Sequence, residues 1–258
     1  MVARSVLPLA LSSLAALLAL GLSLSGLAWP DQYQPMTPAR LMPGALSQDV
    51  VSLAAALGLL GLSRPLSQPG PARLWLVWLG LLGYLAFAYG LYAFETVVNP
   101  LYLGYVAVFG LALWAVFVFF ARADRSLVRP VAPPRRVTAA LFALLAALFL
   151  FLWLSILVPA MASRTPPEGA TIFVFDLAFA LPALVACAAL LWRGGPWGDL
   201  LALPLLMKLA TLGLSVLIGT LIGPLWGFPA ALTDVATYAV LALLPAALVP
   251  LWWRALAP

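Results

Sequence analysis

The chain has 258 residues, of which 65% are apolar and 8% charged, with 13 basic and 8 acidic side chains, one cysteine and no histidine. A soluble domain carries roughly 25% charged residues, so this composition and a mean hydropathy of +1.11 exclude an ordinary water-soluble fold and indicate an all-α polytopic transmembrane bundle. The missing histidine excludes imidazole metal sites and every Ser-His or Cys-His nucleophile, and a formal charge of +5 with no basic, aromatic-interleaved face is no sign of nucleic-acid binding.

A membrane span needs about 20 mainly apolar residues, and eight segments qualify, near 5–28, 46–63, 74–97, 101–121, 137–160, 171–192, 200–222 and 230–252. In the first, Arg4 precedes the apolar run and Gly26-Leu27-Ala28 would pass as a leader cleavage site, but the run exceeds the 7 to 15 residues usual for a leader, so it is read as a retained span. The second is the least secure, because its uninterrupted apolar part extends only from Val50 to Leu62. In the sixth, Pro182 is expected to kink the helix. Cys187, in the same span, reads as a small buried hydrophobe.

Basic residues in short loops favour the cytoplasmic side. With eight spans, ten of the 13 basic residues fall on one side: Arg4, Arg64, Arg73, Arg122, Arg125, Arg129, Arg135, Arg136, Arg193 and Arg254. The opposite segments hold Arg40 and Arg164, offset by Asp31, Asp49, Glu95 and Glu168. Both termini are therefore expected in the cytoplasm, with Trp29, Trp75, Trp192, Trp197, Trp226, Trp252 and Trp253 near span ends as interfacial anchors. The halves 1–130 and 131–258 share a pattern. Leu14-Ala15-Ala16-Leu17 resembles Leu145-Ala146-Ala147-Leu148, and the next helix carries Asp49 or Asp176 near its outer end and closes on Arg64 or Arg193. Two parallel four-helix repeats within one membrane domain would produce it, as would chance in Ala/Leu-rich sequence.

Ionisable groups at bilayer depth cost roughly 2.5 to 3.5 kcal/mol on insertion scales and mark a functional face or a partner. Lys208 lies about 13 Å along the seventh span at ~1.5 Å per residue; it either snorkels or is held by a structural partner, or it handles a substrate or ion. Asp176 is its natural counter-charge, although their depths differ by about 10 Å on the same rise, so a direct pair requires an extended lysine or intervening water. Asp234 shares a helical face with Tyr238 and also suits a helix start. A second polar concentration contains Tyr84, Tyr89, Tyr92, Glu95, Asn99, Tyr102 and Tyr105, five of the seven tyrosines of the chain. It fits three roles: interior glue between helices, a cavity lining or an aromatic belt. Asp49, Glu95, Asp176 and Asp234 all lie toward the non-cytoplasmic side, where they would surround a cation-attracting vestibule closed at depth by Lys208.

The runs Gln48-Asp49-Val50-Val51-Ser52-Leu53, Leu79-Gly80-Leu81-Leu82-Gly83-Tyr84, Tyr92-Ala93-Phe94 with Asn99-Pro100-Leu101-Tyr102, and Phe175-Asp176-Leu177 with Leu181-Pro182-Ala183 resemble a group of bacterial polytopic membrane proteins. The resemblance implies an inner-membrane location and carries no activity. A small-solute or ion transporter or channel is the first expectation. Next comes a non-catalytic subunit, sensor or assembly factor working through a protein partner or as a homo-oligomer. An embedded enzyme ranks last: Asp176 and Asp234 would have to share a proton, and Gly195-Pro196-Trp197-Gly198-Asp199 is not the Gly-x-Gly-Asp motif of intramembrane aspartyl proteases. No cofactor is expected, since Gly-rich phosphate loops and acidic phosphate-metal motifs are missing from the sequence; the partner in every reading is the lipid bilayer.

Overall fold

A computed structural model describes residues 6–68, 71–123, 128 and 130–256. Arg4, Arg125 and Arg129 of the orientation argument lie outside the described residues. Regular structure among the described residues is helical throughout, and eight helical segments are long and apolar enough to cross a membrane. This is a multi-pass membrane protein in contact with lipid. The helices are α1 (Val6–Ala28), α2 (Met42–Leu66), α3 (Ala72–Phe94), α4 (Tyr102–Arg122), α5 (Arg135–Ser163), α6 (Ala170–Phe175), α7 (Leu181–Trp192), α8 (Pro196–Ile222) and α9 (Leu232–Ala255). A π-helical segment, Asp176–Ala180, joins α6 and α7 into one span.

The second span is longer than its apolar run predicts. Pro43, in the first turn where a missing N–H costs nothing, starts α2 well before Val50. Ser47 and Asp49, which stop the apolar run from starting earlier, are both buried, as is Ser52 one turn further on. In the sixth span a π-helical turn directly precedes Pro182. Proline lacks an N–H and crowds the carbonyl four residues earlier, and the π-helical turn immediately before it absorbs that conflict by widening the helix.

The first four spans close on themselves. α1 packs on α2 and α4, and α3 packs on the same two helices. In the last four, α5 packs on α7, α7 on α8 and α8 on α9, whereas α5 and α9 touch sparsely; there the Trp252 indole N–H donates to Thr138 Oγ1 at 2.8 Å. The halves meet where α8 lies on α2 and α3. Gly80 permits that approach, since a Cβ on it would fall 2.9 Å from the Pro204 carbonyl oxygen of α8. α5 is the most lipid-facing element: Val137, Leu144, Phe151 and Met161 on it are all exposed, as apolar side chains at a bilayer boundary are.

Candidate functional site

Most of the polar residues of the first half converge. Asp49 stands two turns inside α2, only 1% exposed. The Tyr33 hydroxyl, on the 3-10 turn Pro30–Tyr33 between α1 and α2, donates to Asp49 Oδ2 at 2.6 Å. Burial, together with the adjacent Asp49 charge, pushes the Tyr33 phenol well above its ordinary value, which keeps it a donor. The Tyr92 hydroxyl donates to the Ala45 carbonyl at 2.9 Å and lies 3.5 Å from Asp49 Oδ1. Tyr92 stacks with both Tyr33 and Tyr105, with centroids 5.6 and 5.0 Å away. The Asn99 side-chain amide donates to the Tyr105 hydroxyl at 3.0 Å and to the Gln32 carbonyl at 3.3 Å. Tyr89 donates to the Ala19 carbonyl at 2.9 Å and sits 3.0 Å from Ser23 Oγ. Tyr102 donates to the Ala93 carbonyl. α1, α2, α3 and α4 are thus joined by hydroxyls whose protons go to protein acceptors. Gly26 seals the cluster, because a Cβ there would fall on Asp49 Oδ2 and the Tyr33 hydroxyl.

Tyr84 belongs to a neighbouring junction of α2, α3 and α8. Its hydroxyl donates to the Gln48 carbonyl at 3.2 Å and is approached by Ser52 and Ser215. Ser47 Oγ lies 3.4 Å from Ser215 Oγ, and Ser52 Oγ is buried with no closed hydrogen bond among the described residues. Four hydroxyl oxygens therefore meet between the two halves.

Asp176 and Lys208 occupy a separate place on the same seam. Asp176, 8% exposed, opens the π-helical segment. Its Oδ2 accepts from the Trp153 indole N–H at 3.0 Å, which ties the sixth span to α5. Lys208 on α8 has its Nζ 3.9 Å from the centroid of the Phe87 ring on α3, a cation–π contact. The two side chains attract each other electrostatically, yet among the described residues the ion pairs within 4 Å are Arg40 with Glu168 and Arg135 with Asp199. Asp176 and Lys208 are neighbours without a closed salt bridge. Ser215, seven residues beyond Lys208, lies on the same face of α8, about 10 Å away at ~1.5 Å per residue.

Glu95 and Asp234 lie apart from these groups. Glu95 Oε1 accepts from the Thr171 backbone N–H at 2.8 Å, so a side chain at the end of α3 caps the start of α6. Asp234 is exposed in the first turn of α9 and makes no side-chain hydrogen bond to Asp176 among the described residues. The structure therefore unites Asp49, Tyr89, Tyr92 and Asn99, sets Tyr84 beside them and Asp176 near Lys208, and gives Glu95 and Asp234 surroundings of their own.

Tyr33, Trp153, Phe87 and the serine junction carry no signal in the sequence strong enough to single them out. The same holds for Arg135, which reads there as a loop charge. Its Nε and Nη2 each donate to an Asp199 carboxylate oxygen at 2.7 Å, a bidentate pair at one end of α5 and α8. The chain matches no family model, no curated protein and no solved structure.

Proposed function

We propose that the protein is a bacterial inner-membrane transporter or channel for a small ion or solute, with both termini cytoplasmic, and that Asp176 and Lys208 are its ion-handling pair. One observation carries this reading: a buried carboxylate at a π-helical break lies near a lysine deep in the next span, with no salt bridge joining them. Intramembrane charges are retained where they serve a pathway, and π-helical turns occur frequently at functional positions. An unclosed pair can exchange partners at little cost. A proton or cation arriving at Asp176 releases the lysine's counter-charge, and its departure restores the attraction. The face of α8 running from Lys208 to Ser215, where it meets Ser47, Ser52 and Tyr84, supplies hydroxyls toward the outer end of that helix.

Proton flux into pyranine-loaded proteoliposomes, driven by a potassium diffusion potential with valinomycin, tests this reading. The wild type should exceed empty vesicles, and Asp176→Asn and Lys208→Met should each reduce the excess at least tenfold while the protein remains folded. Flux at the level of empty vesicles, or unchanged flux in both variants, overturns it.

A further inference from the structure

Among residues outside the Tyr cluster, α5 and α7 line an open groove of about 840 Å³, within the roughly 300–1,000 Å³ typical of ligand sites. Its walls are apolar. Ala139, Ala143 and Ala147 of α5 and Ala186 and Ala189 of α7 give it depth because they fill so little space. At one end, the groove shares Trp192 with a second pocket of about 560 Å³ formed by Pro133, Arg135, Arg136, Arg193 and their neighbours. An apolar groove therefore adjoins a cationic pocket, with an exposed tryptophan at the boundary.

The three arginines of that pocket differ. Arg135 is committed to Asp199 through two hydrogen bonds. Arg136 and Arg193 are exposed and have no hydrogen-bond or ion-pair partner among the described residues. Two uncommitted guanidiniums beside an interfacial tryptophan stand at the level where lipid phosphates lie. The planar guanidinium also suits bidentate contact with a phosphate.

We infer that the α5–α7 groove and the Arg136–Arg193 pocket together form a binding site for one anionic glycerophospholipid, with acyl chain in the groove and phosphate on the two arginines. A partner helix would fill the apolar part but leave both guanidiniums without a counter-charge. A zwitterionic lipid would set an ammonium against them. The inference involves neither Asp176 nor Lys208, so it stands or falls separately from the transport reading.

Native mass spectrometry of the full chain, titrated with phosphatidylglycerol and phosphatidylethanolamine of matched acyl chains, tests the site. At about 1 kcal/mol for each basic side chain near a lipid surface, two arginines correspond to a preference of about thirtyfold for phosphatidylglycerol. Arg136→Gln with Arg193→Gln should reduce that preference to within about threefold, while Arg136→Lys with Arg193→Lys, which keeps the charges that orient the chain, should preserve part of it. Ala143→Phe fills the groove with both arginines intact and should reduce retention of both lipids at least tenfold. This variant decides the matter if the glutamine variant fails to assemble. No headgroup preference in the wild type, an unchanged preference in the glutamine variant, or an Ala143→Phe protein that retains lipid normally overturns the inference. So does an Ala143→Phe protein that instead loses a dimer, since a second copy then occupies the groove.

Discussion

In the first four spans, polar side chains join helix to helix: Tyr89 reaches the Ala19 carbonyl of α1, Tyr92 the Ala45 carbonyl of α2, and Trp78 the Ser12 hydroxyl. In the last four, the seams are mainly apolar, with polar ties at Trp153–Asp176, Trp252–Thr138 and Arg135–Asp199. The first half closes into a ring, and the second remains open between α5 and α9. Unsatisfied polar groups are costly in hydrocarbon, so a side chain there is tolerated when its proton has an acceptor. The tyrosines of the first half meet that condition and hold its helices together. In the second half, Asp176 accepts from Trp153 but closes no bond to Lys208 among the described residues, and the two charges lie in the half whose helices are less tightly enclosed.

Gly26→Val should damage the first half most. Its branched side chain would enter the space of the Asp49 carboxylate and the Tyr33 hydroxyl, and overpacking of this kind costs about 3 kcal/mol. Loss of a monodisperse peak in detergent and a lower denaturant midpoint would register it. In the second half, Arg135→Ala leaves Asp199, 4% exposed, without its partner. Because Arg135 itself is partly exposed, the expected loss is about 2 kcal/mol, and a double-mutant cycle with Asp199→Ala measures the coupling.

The smallest effects are the most discriminating. Trp78→Phe and Trp252→Phe each remove one indole donor, worth about 0.6 kcal/mol for a bond between membrane helices. Hydrogen exchange should separate them. With Trp252 changed, the amides of α5 should exchange faster, because a main tie to α9 is lost; with Trp78 changed, the closed ring should keep α1 and α3 near their wild-type rates. Equal local acceleration in both variants would erase the distinction between the halves.

Much of this architecture is legible in the amino-acid sequence because lipid solvates every span from outside. Apolar runs reveal the eight spans, and Lys208 and Asp176 stand out by depth alone. The start of α2 is harder to read, because Ser47 and Asp49 precede its apolar run while facing inward, and hydropathy does not register which way a side chain faces. Pro182 announces a disturbance but not its form, since a kink and a π-helical turn relieve the same clash. Tyr33 contributes to the cluster from a connecting turn, where no helical period exists to reveal it. Arg135 looks like any loop arginine until α5 and α8 bring it to Asp199.

The two polar sites differ in role on this proposal: the Asp49 cluster holds the fold and the Asp176–Lys208 pair handles an ion. Proton flux per folded molecule, measured in proteoliposomes alongside the denaturant midpoint for Asp49→Asn and Asp176→Asn, tests it most directly. Asp49→Asn should lose about 1 kcal/mol of stability, by weakening the Tyr33 bond, at near wild-type flux, while Asp176→Asn should lose flux at least tenfold with its midpoint nearly unchanged. The opposite assignment, with flux lost in Asp49→Asn and retained in Asp176→Asn, would contradict it.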